Sequence, residues 1–274
     1  MLLLKKIYKF LRKKIIFEKL IPVYVPIVNG KLLDGKTAII VGGSGGIGCA
    51  IAKQFIENNC KVIISGTSEK KLKSISDDLG PACSYIIIDI TDINKMQESI
   101  SALLKNNRVD ILVNAAGIHG PANFWDITEY DYDSVMNINI KGMFFISQLI
   151  AKYFRDNNIK GHIVNISSAS ALKPGKTPYE ISKAAVKSFT LGLATECIKY
   201  GITVNCLAPG PTATNMLNLN KDSELNWYGN PSGRVATVEE IANWAVYLAS
   251  SVGNLIVGDS IYVTGGSGTI CIDL

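Results

Sequence analysis

From residue 36 onward the chain alternates two textures, and the alternation leaves few folds open. Short runs of β-branched and apolar residues occur at 36–41, 61–65, 84–89, 109–114, 162–167, 202–207 and 259–263. Between them lie stretches with helical periodicity, at 46–59, 68–79, 91–106, 130–156, 179–200 and 238–250. In the first of these, Ile47, Ile51, Ala52, Phe55 and Ile56 share one face. A strand that is apolar without interruption is buried on both faces, whereas a half-exposed strand shows a polar residue at every second position. Continuous apolar strands alternating with amphipathic helices predict an α/β protein whose parallel sheet is covered on both sides. No repeat, low-complexity tract or linker interrupts this pattern after Lys36, so residues 35–274 read as one domain behind an arm of residues 1–34.

The first strand runs directly into Gly42-Gly43-Ser44-Gly45-Gly46-Ile47-Gly48, and a helix follows. Glycines there permit a tight turn and let backbone approach a pyrophosphate. The helix N-terminus offers unpaired N–H groups and a positive dipole end to the anion. The loop therefore points to a dinucleotide, and the end of the second strand selects which one. An acid at that end would bind the ribose hydroxyls of NAD and repel the extra phosphate of NADP. This chain has Ser65-Gly66-Thr67-Ser68, and its first acid is Glu69. Thr67 and Ser68 suit a 2′-phosphate that Lys70 or Lys71 can neutralise, which favours NADP(H) and leaves NAD as the alternative.

Far downstream stand Tyr179 and Lys183, as Tyr-Glu-Ile-Ser-Lys. Four residues make about one helical turn, so the two side chains share a face. A phenol has a pKa of about 10 in water and is a poor base near neutrality. A lysine ammonium one turn away is expected to lower it by favouring the phenolate.

Bulk properties narrow the function classes. The net charge is +5, but residues 1–20 hold seven basic residues and one acid, and the rest holds 21 basic and 22 acidic. The basicity is thus local, and a nucleic-acid-binding body is not indicated. The six cysteines, Cys49, Cys60, Cys83, Cys197, Cys206 and Cys271, form no Cys-x-x-Cys pair and read as reduced thiols of a cytosolic protein. With only His119 and His162 besides, no metal site is expected.

Glycine loop, Tyr-x-x-x-Lys and strand order together resemble the short-chain dehydrogenase/reductase family, in its compact single-domain form, most of all the 3-oxoacyl-[acyl-carrier-protein] reductases. The resemblance spans residues 33–266. It implies a three-layer Rossmann fold with a doubly wound, seven-stranded parallel sheet. It also implies an NAD(P)(H)-dependent oxidoreductase that interconverts a carbonyl and a secondary alcohol, as a homo-dimer or homo-tetramer built through 130–156 and 179–200. Cofactor contacts would come from Gly42, Ser44, Gly45, Gly46, Ile47 and Gly48, and from Thr67, Ser68, Asp89 and Ile90. Asn114-Ala115-Ala116-Gly117 matches the family's Asn-Asn-Ala-Gly run with Ala115 as a departure. Pro209, Gly210, Thr212 and Thr214 would pack on the nicotinamide. Tyr179 would exchange the proton, Ser168 would bond the substrate oxygen, Lys183 would bond the ribose, and Asn139 would hold a relay water. Ser167 and Ser170 compete with Ser168 for its role, and only eleven residues separate Ser168 from Tyr179.

Two segments lie outside this frame. In residues 1–15, Leu3, Leu4, Ile7, Phe10, Leu11 and Ile15 fall opposite Lys5, Lys6, Lys9, Arg12 and Lys13 at helical spacing. A basic amphipathic helix suits an anionic membrane surface, and the alternative is packing on protein. Lysines interrupt each apolar run, which excludes a secretory signal. The expected location is cytoplasmic, with peripheral contact on the inner face of a membrane. A catalytically silent dinucleotide-binding scaffold at that surface is the competing function. Residues 218–232 are polar and read either as a mobile segment near the substrate or as a surface excursion.

Overall fold

The computed structural model describes residues 31–217 and 225–270. Its seven strands are β1 (Thr37–Val41), β2 (Lys61–Gly66), β3 (Cys83–Ile87), β4 (Ile111–Asn114), β5 (His162–Ile166), β6 (Thr203–Pro209) and β7 (Ser260–Val263). All pair in parallel in one sheet, in the order β3-β2-β1-β4-β5-β6-β7. The described α-helices are α1 (Gly46–Glu57), α2 (Glu69–Leu79), α3 (Ile93–Asn106), α4 (Glu129–Met136), α5 (Met143–Asp156), α6 (Pro178–Cys197) and α7 (Val238–Leu248).

Successive strand residues feed two cores. Ile40 and Ile64 pack with Ile51 and Phe55 of α1 and Ile241 of α7 on one face of the sheet. Ile39 and Val41 pack with Ile100 of α3 and with Ile146, Ile150 and Phe154 of α5 on the other. Each such side chain contributes about 1.5–3 kcal/mol when fully buried. The central strands are mostly apolar because both faces are covered, as the sequence predicts. The chain leaves β1 toward β2 on one side and resumes beside β1 with β4 on the other. Between the carboxyl ends of β1 and β4 lies the crevice where ligands bind in doubly wound sheets.

Several boundaries differ from expectation. Helix α3 begins at Ile93, because the Asp92 carboxylate accepts from the Lys95 N–H at 3.2 Å and caps the helix. Strand β3 spans Cys83–Ile87, which leaves Asp89 beyond it. Strand β4 begins at Ile111, because Asp110 turns its carboxylate back to the Thr37 N–H and to Arg108. The single helix expected over 130–156 is three segments, with a π-helical stretch Asn137–Gly142 between α4 and α5. A Cβ at Gly142 would stand 2.6 Å from the Ile90 carbonyl oxygen, so the helix passes the β3–α3 connection at backbone contact. After α6 the chain tightens into the 3-10 turn Ile198–Tyr200, and Gly201, at φ 72°, ends it.

Residues 1–30 lie outside the described residues, and with them the amphipathic arm. Among the described residues no helix is long and apolar enough to cross a membrane. Of the segment expected over 218–232, residues 225–232 are described. They begin a tight hairpin, in which Trp227 N–H bonds Gly233 O at 2.8 Å and Val235 N–H bonds Leu225 O at 2.9 Å. The hairpin is tied to α7 by a two-bond Arg234–Glu240 pair at 2.6 and 2.8 Å.

The amino edge of the sheet holds a buried titratable cluster. His162 Nδ1 lies 2.7 Å from Thr203 Oγ1, and burial brings the imidazole down to about 4, with the Lys36 charge adding and Asp110 opposing. The unfolded chain, at about 6.5, binds this proton first. Stability is therefore full above about pH 6.5 and falls as pH drops toward 4. Between pH 7 and pH 5 the wild type should lose about 2 kcal/mol through this group. Urea unfolding at both pH values measures it, and His162→Gln should show a correspondingly smaller loss.

Candidate active site

Gly42 adopts φ 78°, and a Cβ on it would stand 2.5 Å from the Ala116 backbone N. The loop after β1 therefore presses against the 115–117 run after β4, and only glycine fits. Gly45 is different. It is the N-cap of α1, makes no side-chain cap bond, and no acid follows in the first turn. A Cβ on Gly45 would meet only the Gly42 carbonyl oxygen, at 3.3 Å. The chain's own packing crowds this position far less than Gly42, and a glycine here also keeps it open to an approaching ligand. An uncapped helix start beneath an open concavity fits a pyrophosphate. Ser44 lies beside the end of β2, with its Oγ 3.1 Å from where a Gly66 Cβ would stand. Thr67 is exposed, and Ser68 precedes α2 without capping it through its side chain.

Two of the expected cofactor contacts have other bonds. Asp89 Oδ1 accepts from the Thr91 N–H at 2.9 Å and from the Thr91 hydroxyl at 2.7 Å, so it shapes the turn into α3, and Ile90 beside it is buried. Asn114 Nδ2 donates to Ser147 Oγ at 2.9 Å and to Asn165 Oδ1 at 2.8 Å. The Asn165 amide in turn donates to Thr190 Oγ1 at 3.0 Å. Asn114 is thus a structural strut below the cofactor crevice. Ala115 and Ala116 continue past it as backbone.

Helix α6 opens with Pro178 and a reciprocal cap between Thr177 and Glu180. That cap places Tyr179 at the second helical position and Lys183 one turn on. Lys183 is 5% exposed, and its Nζ donates to the Ile166 carbonyl oxygen at 3.0 Å. Ser167 Oγ donates to the Lys183 carbonyl at 2.8 Å and is committed there. Ser168 instead meets the Tyr179 phenol, while its Oγ accepts from the Ser170 N–H at 3.1 Å. Of the three serines, Ser168 is the one at the phenol. Asn139 is fully buried in the π-helical stretch, accepts from the Ile118 N–H at 2.8 Å and donates to the Ile118 carbonyl and to Ser182 Oγ. A Cβ at Gly117 would lie 3.3 Å from Asn139 Oδ1 and 3.4 Å from Lys183 Nζ.

One expectation fails here. The phenol of Tyr179 lies above, not below, its ordinary range, because burial outweighs the bond from Ser168. The Lys183 amine is 5.7 Å from the centre of the Tyr179 ring and is brought down to about 8 by its own burial. In the protein alone the low-dielectric site disfavours both charges, and burial sets the direction at each group.

Ser168 and Tyr179 open onto a cavity of about 220 Å³ bounded also by Ile47, Pro209, Gly210, Thr212 and Thr214. The expected nicotinamide-packing residues thus border the same space as the phenol. The structure adds three residues that sequence reasoning missed: His119, Lys173 and Trp227. The His119 ring stacks on Tyr179 with centroids 4.3 Å apart. Its place two residues after Gly117 was the one available signal. Trp227 falls in the 218–232 segment, one reading of which put it near the substrate, and Lys173 falls in the short loop between Ser168 and Tyr179. Among the described residues no group of three or more His, Cys, Asp or Glu could hold a metal ion.

Residues 36–224 match the family model for short chain dehydrogenase. The chain is 33% identical over 244 residues to gluconate 5-dehydrogenase of Gluconobacter oxydans (strain 621H), covering 85% of this chain and 95% of the relative. It is 37% identical over 238 residues to a 3-oxoacyl-[acyl-carrier-protein] reductase of Rickettsia felis, covering 85% and 97%. Among solved structures, a gluconate 5-dehydrogenase from Burkholderia cenocepacia J2315 in complex with NADP and tartrate is 28% identical, with a TM-score of 0.80 over 88% of this chain and 98% of that one. Similarity of this extent, along nearly the whole length of these relatives, means that the chain belongs to the short-chain dehydrogenase/reductase family of oxidoreductases.

Proposed function

We propose that the chain interconverts a carbonyl and a secondary alcohol with NADP(H), NAD(H) being the alternative cofactor. The observation that carries this is the Ser168–Tyr179 hydroxyl pair opening onto a cavity that also touches Ile47 of α1 and the 209–214 segment. The uncapped start of α1 and Gly45 would hold the pyrophosphate, and Ser44, Thr67 and Ser68 the adenosine end. The absence of an acid at the end of β2 supports the 2′-phosphate. A bound nicotinamide supplies or accepts the hydride. Tyr179 gives its proton to the substrate oxygen in reduction and takes it back in oxidation. A raised phenol suits the first role, because it keeps the proton until the oxygen becomes basic. Ser168 donates to the same oxygen as negative charge grows there. Lys183 holds the Ile166 carbonyl behind Tyr179, and Asn139 ties the 118–120 loop to α6 through Ser182.

The helical face of α5 and α6 supports a homo-oligomer. Phe144 is 40% exposed, and its ring lies against Phe189 with centroids 5.0 Å apart and a tilt of 35°, beside a broad cavity on that face. A second copy of the chain covering this surface would bury them. For residues 1–20 we retain the reading of contact with an anionic membrane surface, on charge and periodicity alone.

Three measurements test these readings. Tyr179→Phe should lower kcat by about 10²-fold or more while NADPH still binds, and retention of more than about a tenth of the turnover would remove the proton-transfer role. Phe144→Glu should shift the native mass in light scattering toward the monomer, and an unchanged oligomer would place the interface elsewhere. Deleting residues 1–20 should abolish co-sedimentation with anionic vesicles, and equal binding by both forms would end the membrane reading.

A further inference from the structure

The cavity beside Tyr179 carries information about its substrate that the reaction alone does not. One lysine, Lys173, lines it, and among the described residues no aspartate or glutamate does. Lys173 enters no ion pair among the described residues. A fixed positive charge at the mouth of a partly desolvated cavity favours an anionic ligand. Ser170 and Ser267 add hydroxyls to the same lining. At about 220 Å³ the space is below the roughly 300–1,000 Å³ of pockets for drug-sized ligands, so a small molecule suits it.

His119 defines a second requirement. Its Nδ1 lies 3.1 Å from the Gly120 carbonyl oxygen. A carbonyl only accepts, so Nδ1 carries the hydrogen, and in the neutral ring Nε2 is left as an acceptor. The ring stacks on Tyr179 at 4.3 Å, so a group bound by it is next to the reacting oxygen. An acceptor there calls for a donor on the substrate, and a hydroxyl beside the carbonyl is the simplest one. A plain alkyl ketone would leave both His119 and Lys173 unmatched.

We propose that this cavity takes a short hydroxylated oxo acid, His119 accepting from a hydroxyl beside the reacting carbon and Lys173 pairing with the carboxylate at the far end. The assignment rests on the carbonyl-reductase reading of the same site. It makes both side chains specificity residues, and it predicts selection against neutral and fully alkyl carbonyl compounds.

The test uses matched substrates with the full-length protein and NADPH. 4-Oxopentanoate is compared with its methyl ester, and hydroxyacetone with acetone. The acid should exceed the ester at least tenfold in kcat/KM, and hydroxyacetone should exceed acetone likewise. Lys173→Met should raise KM for the acid about tenfold and leave the ester unchanged. His119→Phe keeps a stacked ring without the acceptor, so it should erase the hydroxyacetone preference and spare the acid preference. Esters used as well as acids by the wild type, or variants that weaken both members of a pair equally, would overturn the assignment. Binding is read independently of turnover, from tryptophan fluorescence of the Tyr179→Phe variant, since Trp227 borders the cavity. Tenfold tighter binding of 4-oxopentanoate than of its ester supports anion recognition, and equal binding overturns it. Absence of turnover with every carbonyl, alongside selective acid binding, would instead sink the reductase reading and leave the anion site standing.

Discussion

The junction between β5 and α6 is held by two hydrogen bonds that run in opposite directions. The Lys183 ammonium donates to the Ile166 carbonyl, and the Ser167 hydroxyl donates to the Lys183 carbonyl. Both side chains are buried, so losing either partner leaves a polar group stranded at a cost of about 1–3 kcal/mol. This reciprocal tie sets where α6 starts relative to the sheet, and with it where the Tyr179 phenol stands above the crevice. Ser168 reaches the phenol because Ser167, its neighbour just beyond β5, is turned to the helix backbone.

The same logic extends sideways through polar groups that a parallel sheet would normally exclude. Asn114 of β4 and Asn165 of β5 bond each other, and beyond them stand Ser147 of α5 and Thr190 of α6. A buried network of this kind specifies one arrangement of the elements it joins, and of its members Asn114 leaves its Oδ1 without a partner. Here it joins two strands to the two helices that flank the site. Asn139 performs the equivalent task above it, joining the 118–120 loop to α6 through Ser182. The reacting groups are thus held by a frame of amides and hydroxyls rather than by apolar packing alone.

What the sequence made legible was whatever depends on local pattern. Apolar runs such as 36–41 and 109–114 foretold strands covered on both faces, and the glycines from Gly42 to Gly48 foretold a tight turn between β1 and α1. Tyr179 and Lys183 were legible because one helical turn relates them. What escaped depends on contacts between distant segments. Strand β4 starts late because Asp110 answers Thr37, seventy-three residues away. The raised phenol of Tyr179 follows from burial by residues of several loops, and spacing along a helix carries no record of burial. His119 was passed over as one of too few histidines for a metal, since nothing in a one-dimensional pattern places its ring over Tyr179.

The π-helical stretch has an effect on phase. Val135 before it and Phe154 after it are both buried, nineteen residues apart. At about 100° per residue, an unbroken α-helix would carry Phe154 roughly a quarter-turn past the face that Val135 defines. The wider turn at Asn137–Gly142 absorbs that drift. One inward seam can then serve Asn139, bonded to Ser182 of α6, and Phe154 in the distant core, and the helix need not bend to do both.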